Sequence, residues 1–143
     1  MSQSQSALII EQDTKWVEAL TLILNDIGVH DIKSVNSWAG TIEAVKQTRF
    51  DLVLIDVKSP EKEAVSLIKE IQRIDLWTRI IVLSHISKRQ VVLACVYAGA
   101  LQYILKTEDL QIIQNKILTV SEQTKSRRES AIKPPRTQFD SFL

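Results

Sequence analysis

Phe50-Asp51-Leu52-Val53-Leu54-Ile55-Asp56 is a short run of aliphatic and β-branched residues that closes on a carboxylate. Such a run reads as a strand buried on both faces, the kind that lies in the middle of a parallel sheet. In open α/β sheets, ligand chemistry gathers just beyond the carboxyl ends of these strands, which makes Asp56 a candidate functional group. Three more apolar runs end on polar side chains. Ala7-Leu8-Ile9-Ile10 leads into Glu11-Gln12-Asp13, Ile80-Ile81-Val82-Leu83 into Ser84, and Tyr103-Ile104-Leu105 into Lys106. Acids, a hydroxyl and an ammonium are therefore expected to converge on one edge.

Helical patterns separate the strands. Thr14 to Asp26 carries Trp16, Val17, Leu20, Ile23 and Leu24 at helical spacing, with Asp13 or Thr14 as the cap and Gly28 at the stop. A short strand is expected at Ile32 to Val35, and Ser37 caps a helix from about Trp38 to Thr48. The central strand at 51–55 precedes a third helix from about Glu61 to Ile74, with Ala64, Leu67, Ile68, Ile71 and Ile74 turned inward. A strand at 79–83 leads to a helix near Lys88–Ala98 that Gly99 ends. A last strand at 101–105 precedes a helix from about Glu108 to Glu122, striped by Leu110, Ile113, Ile117 and Val120. Five strands alternating with five helices specify an α/β fold, a parallel sheet with helices on both faces.

Composition narrows the classes of function. The net charge of +1 exerts no general pull on nucleic acid or membranes, and no apolar stretch is long enough to span a bilayer. From Thr124 onward five Lys/Arg stand against two Asp/Glu, so 124–143 is expected to be a flexible basic tail or a linker, with the domain itself at 5–123. Cys95 is the one cysteine; it excludes an internal disulfide, fits a cytoplasmic protein, and reads as a small buried hydrophobe. Trp16, Trp38 and Trp77 read as half-buried packing. There is no nucleophile elbow, Walker loop or His/Cys ligand set, so a turnover enzyme is not expected. Glu11-Gln12-Asp13-Thr14 would repel the phosphate of a flavin bound after the first strand.

From Glu11-Gln12-Asp13, through Asp56 with Pro60 four residues on, to Ser84, Gly99-Ala100 and Tyr103-Ile104-Leu105-Lys106, the arrangement resembles the receiver domains of two-component response regulators. The resemblance implies a flavodoxin-like, doubly wound five-stranded parallel sheet of order 2-1-3-4-5. It implies that Asp56 accepts a phosphoryl group from the phosphohistidine of a sensor histidine kinase or a phosphotransfer protein. A carboxylate attacking a phosphoryl centre meets charge repulsion, which a cation must offset. Mg²⁺ is the implied cofactor, held by Glu11, Gln12 as a weaker ligand, Asp56 and the Lys58 backbone carbonyl, with Asp13 a further candidate. Lys106 would offer a second positive charge, and Ser84 a hydrogen bond to the bound phosphoryl group. Tyr103 matches the switch aromatic, and the fourth helix, fifth strand and fifth helix form the responsive surface, through which a homodimer is expected. No membrane partner is implied, and no nucleic acid partner for this chain alone.

This member is atypical. Gln12 stands where the family has an acidic metal ligand, and the amide removes one negative charge beside the expected dication. Lys58 lies two residues past Asp56, where its ammonium would cover the pocket, and His85 replaces a small residue after Ser84. Ala64 and Thr107 replace a usual glycine and proline. These departures motivate an alternative, a pseudo-receiver that acts as a protein-interaction domain without phosphorylation.

Overall fold

A computed structural model describes residues 5–130. Strands β1 (Ser6–Ile10), β2 (Asp31–Val35), β3 (Leu52–Asp56), β4 (Arg79–Ser84) and β5 (Ala100–Leu105) alternate with helices α1 (Thr14–Asp26), α2 (Trp38–Gln47), α3 (Lys62–Ile74), α4 (Arg89–Ala98) and α5 (Leu110–Ser130). The sheet runs β2-β1-β3-β4-β5, and every paired neighbour is parallel. The expected fold class and strand order both hold.

The period-2 geometry of β3 divides the core. Val53 and Ile55 pack on one face with Ile68, Ile71 and Cys95, while Leu52 and Leu54 pack on the other with Leu24, Ile113 and Ile117. Both layers are dry: Leu8, Ile9, Leu52, Ile68 and Ile81 are fully buried. Each such side chain contributes about 1.5–3 kcal/mol relative to exposure. Burial pushes the Cys95 thiol up to about 11, with the Glu61 charge a lesser cause, so this cysteine is protonated packing and not a nucleophile.

Local signals at the helix starts behave as their chemistry dictates. Asp13 accepts from the Lys15 backbone N–H at 2.9 Å, and Ser37 accepts from that of Gly40 at 3.0 Å. Asp109 accepts from the Gln111 N–H at 3.1 Å, which places the start of α5 two residues later than expected. Leu110 then sits in the first turn, 55% exposed, outside the buried stripe of Ile113, Ile117 and Val120. The helix also continues to Ser130, past the expected end at Glu122. Hydrophobic periodicity fades there, but Gln123, Lys125, Arg127 and Arg128 are good helix formers. The Pro134-Pro135 and Phe139–Leu143 segments of the expected tail lie outside the described residues.

Gly99 closes α4 at φ +131°, and a Cβ there would lie 2.6 Å from Cγ of Gln72. Gln72 is itself anchored, donating to the Thr78 carbonyl at 2.9 Å. Gly99→Ala therefore meets both backbone strain and a clash, and should lower the unfolding free energy by about 2 kcal/mol. Urea denaturation would read this as a lower midpoint at unchanged slope; an unchanged midpoint would contradict the packing described.

Candidate functional site

Because the strands are parallel, their carboxyl ends share one edge of the sheet. Ile10 pairs with Ile55, Asp56 with Leu83, and Ser84 with Leu105, so the residues that end or follow β1, β3, β4 and β5 become neighbours. Lys106 follows β5, and its backbone N–H is held by the Ser84 carbonyl at 2.9 Å. Its Nζ lies 2.5 Å from Glu11 Oε1 and 2.9 Å from Asp56 Oδ1, and the three side chains are only 3%, 2% and 7% exposed. Four chain segments expected to converge do so.

A buried ion cluster is stable only when its members satisfy one another. Glu11 meets that demand fully. Its Oε2 accepts from the backbone N–H groups of Gln12 at 3.0 Å and Asp13 at 3.2 Å, while Oε1 faces Lys106. The Lys106 ammonium also stands 4.9 Å from the centre of the Trp16 ring, a cation–π contact that sequence reading had assigned to packing alone. The signal for it was present in the sequence: Trp16 lies one helical turn from the acidic loop, on the first turn of α1.

Asp56 differs from Glu11 in having one oxygen turned outward. Oδ2 lies 3.7 Å from Nζ of Lys58, whose side chain is 58% exposed. The same Nζ donates to Oε1 of Gln12 at 3.3 Å, and the Gln12 amide nitrogen donates to the Asn36 carbonyl at 3.4 Å. Lys58 thus lies beside both Asp56 and Gln12, with most of its side chain exposed. Two clefts meet at Asp56. One, of about 390 Å³, is bounded by Gln12, Trp38, Lys58 and Glu63; the other, of about 250 Å³, by Asp13, His85 and Lys106. His85 is exposed at the rim of the second, and Asp13 borders it while capping α1.

Ser84 is fully buried, and its hydroxyl is committed to the loops on either side. Oγ donates to the Val57 carbonyl at 2.5 Å and accepts from the Ile86 N–H at 3.0 Å. Tyr103, half-buried against the core, donates from its hydroxyl to the Ile86 carbonyl at 2.7 Å. Desolvation raises the tyrosine pKa, opposed by its interaction with the Ser84 hydroxyl. Ser84 and Tyr103 are therefore joined through one loop residue, Ile86. Neither Val57 nor Ile86 was singled out in the sequence, since they act through backbone groups, the Val57 carbonyl and the Ile86 N–H and carbonyl, whose placement no residue type signals.

The donor set does not fit a magnesium ion as arranged. Glu11 has both oxygens engaged, Gln12 supplies a neutral amide oxygen, and that oxygen already accepts from an ammonium that also faces Asp56. Among the described residues, no three His, Cys, Asp or Glu side chains are grouped to hold a metal. Nor is any helix among them long and apolar enough to cross a membrane.

The profile of the response regulator receiver domain matches residues 7–118. The chain belongs to that family. This receiver is 35% identical over 99 residues to the chemotaxis protein CheY of Thermotoga maritima, covering 69% of this chain and 82% of that protein. It is 26% identical over 107 residues to the transcriptional regulatory protein ZraR of Escherichia coli K12, covering 75% of this chain but 24% of the relative. The chain thus spans about a quarter of the length of the ZraR sequences it matches. Among solved structures, the CheX-CheY-BeF3-Mg+2 complex from Borrelia burgdorferi superposes with a TM-score of 0.73 at 24% identity, over 82% of this chain and 89% of that one. At that identity the likeness speaks to the fold. Two-component signalling is the business of the family, whose receiver domains are generally signalling modules.

Lys106→Met leaves two buried carboxylates without their common cation and should destabilise the receiver by about 3–5 kcal/mol. Adding Glu11→Gln to that variant should return part of the loss, since one uncompensated charge is then removed. Equal stability of Lys106→Met and wild type in chemical denaturation would refute the cluster.

Proposed function

We propose that Asp56 is the phosphoacceptor of this receiver, and that a sensor histidine kinase or a phosphotransfer protein supplies the phosphoryl group from a phosphohistidine. The observation that carries the reading is the asymmetry of Asp56: Oδ1 is fixed by Lys106 in the buried cluster, while Oδ2 faces the clefts. A nucleophile held on one side and open on the other is oriented for in-line attack.

In the proposed step, Oδ2 of Asp56 attacks phosphorus, the P–N bond to the donor imidazole breaks, and its electron pair stays on that nitrogen. The product is an acyl phosphate on Asp56. The Lys106 ammonium, already 2.9 Å from the carboxylate and itself buried, offsets the added charge. Ser84 then exchanges its bond to the Val57 carbonyl for one to a phosphoryl oxygen. Because Ser84 Oγ also accepts from the Ile86 N–H and Tyr103 holds the Ile86 carbonyl, that exchange pulls on the β4–α4 loop. The readout surface lies beyond it. Leu93, Val96 and Tyr97 of α4, Leu101 of β5 and Ile112 of α5 are large exposed apolar side chains, with Tyr97 85% exposed. They suit an output partner or homodimer formation. Mg²⁺, the family cofactor implied by the resemblance, binds weakly in this reading, and the protein works in the cytoplasm as part of a longer regulator or as a separate relay.

A second reading, the phosphorylation-independent pseudo-receiver, is favoured by one observation: Lys106 and Lys58 already balance Glu11 and Asp56 without any added cation. The two readings part in a single assay. Incubation with acetyl phosphate, or with a competent histidine kinase, should add about 80 Da by intact-mass analysis, the mass of one phosphoryl group. Asp56→Asn should show no such adduct. If folded wild type stays unmodified with both donors, the pseudo-receiver reading replaces this one.

A further inference from the structure

Lys58 occupies the side of Asp56 that a metal would need. Its Nζ stands 3.7 Å from Oδ2 of Asp56 and 3.3 Å from Oε1 of Gln12. These are the outward oxygen of the phosphoacceptor and the oxygen of the residue that replaces an acidic ligand. The charges close around this arrangement. Glu11 and Asp56 bring two negative charges to the pocket, and Lys106 and Lys58 bring two positive ones. Two more carboxylates stand at the rims, Glu63 beside the wider cleft and Asp13 beside the narrower one, where it caps α1. A dication entering beside Lys58 would face an ammonium at close range, with Gln12 offering no charge in return.

We infer that Lys58 is a tethered cation in this receiver, competing with divalent metal for the Asp56–Gln12 side of the pocket and supplying there part of the positive charge that a metal would bring. Gln12 and Lys58 form one device. The amide removes the charge that would recruit a dication, and its oxygen positions the ammonium that takes the dication's place. The side chain is long, flexible and partly exposed, so it can leave when enough metal is present. The consequence is an inner set of four side chains whose charges balance without metal, so that divalent affinity is set by displacement of an ammonium and not by the carboxylates alone. This deepens the phosphoacceptor reading of the same site, yet its test stands apart from it, because metal binding is measured without any phosphoryl donor.

The test is titration of the full chain with MgCl2 by calorimetry, repeated with MnCl2 while free Mn²⁺ is counted by electron paramagnetic resonance. Lys58→Met keeps the stem and the backbone carbonyl but removes the charge, and should tighten both metals about tenfold. Lys58→Arg keeps the charge and should bind metal within about twofold of wild type. Lys62→Met removes an equal charge from the start of α3, at an exposed residue that itself lines neither cleft, and should change affinity little. Gln12→Asp should tighten binding, and Gln12→Asp with Lys58→Met should bind most tightly of the set. Equal metal affinity in wild type and Lys58→Met would overturn the inference, as would an equal gain from Lys62→Met. Failure of Asp56 to accept phosphoryl groups would leave these affinity ratios standing, so the two readings fail separately.

Discussion

Lys106 reaches from the end of β5 to carboxylates at the ends of β1 and β3, and this three-membered ion cluster is the constraint on which the site depends. Each member is nearly dry, so none can be charged alone without a large desolvation cost. The arrangement resolves the cost by division of labour. Glu11 is saturated by Lys106 and two backbone N–H groups, and is thereby structural. Asp56 gives one oxygen to the cluster and keeps the other outward. The cluster thus sets the orientation of the Asp56 carboxylate and ties together the carboxyl ends of β1, β3 and β5.

In the proposed reading, signal leaves the pocket through hydrogen bonds that share one short loop. Ser84 is bonded to Val57 behind Asp56 and to Ile86 ahead of α4, and Tyr103 holds the same Ile86 from β5. A hydroxyl has one proton to donate, so a new acceptor at Asp56 must cost Ser84 its bond to Val57. That competition is discrete, which is what a two-state element requires. The apolar side chains exposed along α4, β5 and the start of α5 give the element a surface on which to report.

The positions of Glu11, Asp56, Ser84 and Lys106 were legible in the sequence because each closes a buried strand, and parallel strands bring their ends together. The helices were legible from their apolar stripes, and the Ser37 cap from its residue type. What was hidden depended on geometry beyond period and cap. The choice of Asp13 over Thr14 as the α1 cap, and of Asp109 as the start of α5, turned on single hydrogen bonds. Leu110 matched the stripe by spacing but falls in the first turn, ahead of the sheet it would cover. The direction of the Ser84 hydroxyl is decided by the Val57 carbonyl, which carries no signature in the sequence. Lys58 was visible as a charge near Asp56, but its bond to Gln12 depends on how the loop after β3 turns.

The most direct measurement of the central claim is nuclear magnetic resonance of the lysine ammonium groups in the folded receiver. If Lys106 bridges Glu11 and Asp56, its ammonium protons should exchange slowly with water and show hydrogen-bond couplings to the carboxylate carbons of both partners. An ammonium at residue 106 that exchanges as fast as those of exposed lysines, with no coupling to Asp56, would contradict the account.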